Sequence, residues 1–134
     1  MHWLIPPGRY ESHVPVTEQL AVPYDTTAHY ATGHLHPYAK SLALVDTTAQ
    51  RTLFTIHSRD FDDRIGVAEM EELSLPQGVE LFKDHQYELV TVYDNPTSEP
   101  VDAMSILYVY SLDKQFRPEA VIGSKPAAVA SAAK

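Results

Sequence analysis

Residues 104–112, with the sequence MSILYVYSL, carry the pattern that decides the fold. Successive side chains of a β-strand point to opposite faces, so every second residue of this stretch shares a face. One face would carry Met104, Ile106, Tyr108 and Tyr110, and the other Leu107 and Val109. Aromatic and β-branched residues suit a pleated surface that is packed against neighbours. The stretch therefore predicts a strand with both faces largely covered.

Similar short apolar stretches recur along the chain and alternate with turn residues. Strands are predicted over residues 11–16, 20–23, 28–35, 41–46, 51–58 and 87–93, with an edge strand within 66–75. Residues 5–9 are predicted to be extended, and turns are predicted at 47–50, 75–79 and 94–97. Short strands at such regular spacing are typical of an antiparallel β-sandwich.

The predicted fold class is therefore all-β, a single sandwich domain of the jelly-roll type over residues 1–116. Residues 117–134 are rich in small side chains, which bury little apolar area. We expect them to form a flexible carboxy-terminal tail.

Composition and charge exclude several classes of function. The 134 residues include 10 Lys and Arg against 18 Asp and Glu, for a net charge of −8. Such an acidic chain lacks the positive surface that nucleic acids and anionic membranes attract. Its apolar stretches are much shorter than the roughly 18 residues of a membrane helix. We therefore expect neither a nucleic-acid partner nor a membrane span.

The first residues show neither the basic region nor the long apolar core of a secretion signal. This leaves two expectations open, a cytosolic protein or a mature periplasmic or extracellular form without its leader. We adopt the second as the prediction.

The chain has no cysteine, so a metal site would have to use His, Met, Asp or Glu. His34 and His36 are two residues apart on a predicted strand, which directs both imidazoles to one face. By spacing alone, the pair fits a solvated strand surface as well as a metal site. Met104 is a candidate third ligand, and the alternative is that it only fills the core.

Seven short motifs, taken in order, resemble the carboxy-terminal domain of the copper type II, ascorbate-dependent monooxygenases. They are residues 5–8 (IPPG), 33–36 (GHLH), 40–42 (KSL), 75–78 (LPQG), 93–96 (YDNP), 102–104 (DAM) and 107–110 (LYVY). In that family the domain is an antiparallel β-sandwich whose copper is held by a His-x-His pair and a Met from a late strand. The resemblance implies one copper per chain, bound by His34, His36 and Met104.

Two imidazoles and a thioether favour copper, and the thioether favours Cu(I). The family's enzymes need a second copper centre in a further domain, and this chain is long enough for one domain only. We therefore predict copper handling by delivery, storage or buffering, with a copper-donor or copper-acceptor protein as partner, and do not expect an enzyme. The alternatives are a monooxygenase domain that needs a separate electron donor, and an interaction module with a structural metal.

Other polar residues near these motifs have less defined roles. Asp102 would share a face with Met104 and is either an outer partner that orients a ligating imidazole or an ordinary turn residue. His2 would form a two-nitrogen chelate only after removal of Met1. The sequence leaves open whether His2, His57 or His85 contributes to a further metal site.

Overall fold

Alternating apolar and polar residues produce nine strands in a computed structural model that describes residues 2–118. The strands form two antiparallel sheets, which confirms the all-β sandwich. The predicted tail, residues 117–134, lies outside the described residues apart from its first two positions. Within the described part, no helix is long and apolar enough to cross a membrane.

The elements follow one another as β1 His2–Ile5, β2 Gly8–Pro15, α1 Thr17–Leu20, β3 Thr26–Leu35, β4 Ala39–Asp46, β5 Arg51–Asp60, β6 Val67–Met70, β7 Leu73–Leu81, β8 Tyr87–Asn95 and β9 Val101–Ser111. One sheet has the strand order β1-β9-β3-β7, and the other has the order β2-β8-β4-β5-β6. Strand β9 therefore lies between the first strand of the chain and β3.

The core lies between the two sheets and takes alternate residues from each central strand. In β4, Leu42 and Leu44 are fully buried, and Ile56 of β5 and Tyr93 of β8 are buried beside them. Burial of each such side chain contributes on the order of 1.5–3 kcal/mol to folding. The core thus holds β3 and β9 against the second sheet, and the chain has no cysteine for a disulfide.

The face of β9 that carries Tyr108 and Tyr110 is open to solvent, with exposures of 47% and 62%. The prediction that both faces of this strand are covered is therefore wrong. An antiparallel sheet in a two-layer fold packs one face on the core and leaves the other in water.

Two further local predictions differ from the structure. Residues 20–23 do not form a strand, because Leu20 and Ala21 donate backbone hydrogen bonds to Val16 and Thr17 and close one helical turn. Residues 75–79 lie within the bounds of β7, but residues 75–78 bulge out of its pairing with β3, which passes from Val79 opposite Ala28 to Ser74 opposite Tyr30. Strand β7 is at the sheet edge, where Pro76 is tolerated, and Gly78 adopts a φ of 75° close to Thr27.

The predicted turn at residues 47–50 is present and is held by Asp46, whose side chain is fully buried. One carboxylate oxygen accepts the Ala49 N–H at 2.8 Å, and the other lies 2.7 Å from Nδ1 of His85. Burial acts to raise the pKa of Asp46, but these hydrogen bonds outweigh it and hold the pKa below its ordinary value.

Asp46 should therefore make the stability of the protein sensitive to acid. A carboxylate with a lowered pKa in the folded state stabilises the fold above its unfolded pKa of about 4, and that stability is lost as pH falls through the folded pKa. Asp46→Asn should lower the free energy of unfolding near neutral pH by about 1–3 kcal/mol. In urea denaturation at a series of pH values, the free energy of unfolding of this variant should also fall less steeply than that of the wild type as pH decreases below about 5.

Asp84→Asn, at an exposed position, is the matched control and should keep the wild-type slope. An Asp46→Asn variant whose acid limb is as steep as that of the wild type would contradict this assignment.

Candidate metal centre

The His-x-His pair lies where β3 ends, beside the start of β9. The register pairs Leu35 with Ser105, which brings the following residue, His36, alongside Met104. On the other side of β9, His2 of β1 is the direct partner of Met104. Residues 2, 104 and 36 therefore form one row across β1, β9 and the residue that follows β3.

The two histidines project from the same side of the sheet, as the spacing predicts. Leu35 between them is 3% exposed and belongs to the core, whereas His34 is exposed and His36 is half-buried. The centroids of the two imidazole rings are 5.6 Å apart, and the rings meet edge to face. His34 is nevertheless outside the group of three close His, Asp or Glu donors found among residues 2–118, which consists of His2, His36 and Asp102.

Met104 belongs to the outer face of the sheet and is not a core residue. Its neighbours Ala103 and Ser105 are buried at 0% and 4% exposure, while Met104 itself is partly exposed. Because side chains alternate along a strand, the thioether projects from the same side as His2 and His36.

Asp102 lies between two imidazoles and contacts both. Its Oδ2 is 2.9 Å from Nδ1 of His36, and its Oδ1 is 2.6 Å from Nε2 of His2. The ligand atoms of these three residues all lie within 4.8 Å of one another. The contact with His36 agrees with the alternative in which Asp102 orients an imidazole, whose role as a ligand stays a prediction, and the contact with His2 was not expected.

Tyr93 fixes the backbone beneath this row from the opposite sheet. Its hydroxyl donates a hydrogen bond to the Met104 carbonyl at 2.6 Å. It also accepts hydrogen bonds from the Met104 N–H at 3.2 Å and the His36 N–H at 3.4 Å. Burial raises the pKa of the Tyr93 phenol, which keeps it a neutral donor. One buried hydroxyl thus ties together the backbone of two candidate ligands.

His2 is the residue of this cluster whose role the sequence leaves open. The signal that could have located it is the pairing of β1 with β9, which depends on residues about a hundred positions apart. From the sequence, only an extended segment over residues 5–9 is predicted, with no strand before it.

His57 and His85, whose roles the sequence also leaves open, lie outside this cluster. His57 Nδ1 is 3.0 Å from a Glu71 carboxylate oxygen, and His85 is the partner of Asp46 described above. Among residues 2–118, neither belongs to a group of three close His, Asp or Glu ligands.

Comparisons with known proteins do not add to this description. No family model matches the chain, and neither the curated proteins nor the solved structures gave a match.

The types of donor atom in this cluster limit the metal ions that it suits. It offers imidazole nitrogens, a thioether and a carboxylate on one solvent-facing surface, with two of the imidazoles hydrogen-bonded to that carboxylate. Imidazole binds copper, zinc, iron and nickel, and thioether adds affinity for Cu(I). The donor types are compatible with copper and equally with other ions that imidazole binds.

Removal of the Tyr93 hydroxyl should loosen the site while leaving the sandwich folded. Tyr93→Phe should lower the free energy of unfolding by about 1–3 kcal/mol, because two backbone N–H groups and one carbonyl lose a buried partner. Amide hydrogen exchange at His36 and Met104 should be faster than in the wild type, as measured by NMR.

Tyr87→Phe is the matched control in the same strand, since the Tyr87 hydroxyl bonds the backbone of Phe82 far from the site. It should speed exchange at Phe82 and leave His36 and Met104 unchanged. Equal effects of the two variants at His36 would contradict the role of Tyr93.

Proposed function

We propose that the protein binds one copper ion through His34, His36 and Met104 and carries it for delivery, storage or buffering outside the cytoplasm. The observation that supports this most is the row of residues 2, 104 and 36, which brings Met104 beside His36 on the face that His34 also shares. The sequence alone left open whether Met104 belongs to the core.

The chemistry of the donors supports copper over zinc. A thioether is a soft ligand, which stabilises Cu(I) and contributes little to zinc. Zinc sites in proteins use Cys, His, Asp or Glu. Of the three proposed ligands, Met104 is therefore the one that sets the metal preference.

Asp102 has a defined part in this proposal. With Nδ1 of His36 protonated and donating to Asp102, Nε2 of the same ring is the nitrogen left for copper. A carboxylate partner of this kind fixes the tautomer and the orientation of a ligating imidazole and makes it a stronger donor.

The position of the site supports transport of the ion over catalysis. Three protein ligands on an exposed sheet face leave a coordination position open, through which a ligand of a partner protein can take over the ion. The hydroxylases that the chain resembles join this type of centre to a second copper centre in another domain. We therefore propose a copper-donor or copper-acceptor protein as the partner.

Metal selectivity is the direct test. Apo-protein should bind one Cu(I) per chain, and much more tightly than Zn(II), because only copper gains from the thioether. Competition titrations with chelators of known affinity measure both constants. Equal affinity for Cu(I) and Zn(II), or no binding of Cu(I), would overturn the proposal.

The ligand assignment predicts a difference between the oxidation states of copper. Met104→Ala should weaken Cu(I) binding more than Cu(II) binding, and His36→Ala should weaken both. Met70→Ala, at a methionine that packs against the core, is the control and should change neither. Equal losses of Cu(I) and Cu(II) affinity in Met104→Ala would remove the thioether from the site.

A further inference from the structure

We propose that the site contains a second, harder set of donors that takes a divalent ion. This set is formed by Nε2 of His2, Nδ1 of His36 and the carboxylate of Asp102. It shares His36 with the copper ligands but uses the other nitrogen of that ring. The divalent site stands on its own geometry, whereas its competition with Cu(I) rests on the proposed function.

The three donors already converge on a small volume. The carboxylate of Asp102 lies 2.6 Å from the nitrogen of His2 and 2.9 Å from that of His36. Donors about 2.0–2.1 Å from a tetrahedral ion are about 3.3 Å from one another. Each of the two contacts would therefore have to lengthen by about 0.4–0.7 Å to admit an ion.

The side chains are free to make this adjustment. His2 and Asp102 are 59% and 46% exposed, and neither packs in the core. The backbone below them is fixed by the β1–β9 register, in which Leu4 pairs with Asp102 and His2 with Met104. The ion would thus be admitted by rotation of two surface side chains, with no change in the sheet.

The chemical type of these three donors determines which ions this second set prefers. Two imidazoles and one carboxylate form the ligand set that binds Zn(II) in many hydrolytic enzymes and also suits Cu(II). A carboxylate is a poor ligand for Cu(I), which prefers the thioether of Met104. The two donor sets therefore differ in the charge and softness of the ion that they prefer.

His36 makes the two sets mutually exclusive. A neutral imidazole carries one proton, so only one of its two nitrogens can bind a metal at a time. For Cu(I) at Nε2, the proton is on Nδ1 and is donated to Asp102. For a divalent ion at Nδ1, that proton is transferred to Nε2, and the ion replaces it between His36 and Asp102.

Zn(II) titration of four variants tests the divalent site. His2→Gln should lose about tenfold or more in Zn(II) affinity and keep its Cu(I) affinity, since His2 is outside the copper set. Met104→Ala should keep its Zn(II) affinity and lose Cu(I) affinity. His34→Ala should follow Met104→Ala, and Asp102→Asn should weaken both ions, because Asp102 binds one ion and orients His36 for the other.

The exposed pair His57 and Glu71 provides the matched control. Its contact of 3.0 Å resembles that of His36 with Asp102, but no third close donor accompanies it within residues 2–118. His57→Gln should leave Zn(II) and Cu(I) affinity unchanged. A His2→Gln variant with wild-type Zn(II) affinity, or a Met104→Ala variant that loses Zn(II), would overturn the divalent site.

Competition between Cu(I) and Zn(II) distinguishes failure of the copper function from failure of the divalent site. Addition of Cu(I) to the Zn(II) form should release the zinc in one-to-one stoichiometry, measured with a zinc indicator. Simultaneous binding of both ions would contradict the exclusion at His36. Zn(II) binding that depends on His2, in a protein that does not bind Cu(I), would overturn the copper function and leave the divalent site standing.

Discussion

The geometry of the site depends on the hydrogen bonds that the Tyr93 hydroxyl makes. This hydroxyl reaches across the core from β8 and binds the backbone of Met104 and His36 at the point where β3 leaves the sheet. Since a buried polar group without a partner costs about 1–3 kcal/mol, the hydroxyl and these backbone groups constrain one another. The position of the two candidate ligands is therefore coupled to the packing of the sandwich.

The register of β9 explains why an ordinary strand pattern produces a cluster of donors. Each strand contributes only one or two residues to the cluster, and none of these residues is unusual by itself. Antiparallel pairing aligns residue 2 with residue 104 and residue 35 with residue 105, so that residue 36, just after β3, follows next to residue 104. The cluster is thus a property of strand order, with β9 between the two strands that carry the histidines.

Much of the fold could be predicted because it depends on local alternation. The strands around Leu42, Ile56 and Tyr93 follow from apolar residues at every second position, and the His34 and His36 pair shares one face for the same reason. The prediction differs from the structure where tertiary context overrides local preference, as at Gly78, whose neighbours suggest a turn but which lies in a bulge of an edge strand. His2 and Tyr93 could not be assigned to the site, since their contacts join distant segments and leave no periodic signal.

Strand β1 has only four residues and is held by β9 alone in its sheet. Ile5 anchors one end in the core, while the other end is held by the contact of His2 with Asp102. Short edge segments of this kind open by local unfolding at lower free energy than the rest of a domain. An ion bound by both His2 and Asp102 would attach the beginning of β1 to the neighbouring strand β9. Because a ligand stabilises the state that it binds, ion occupancy and the order of the amino-terminal strand would be linked.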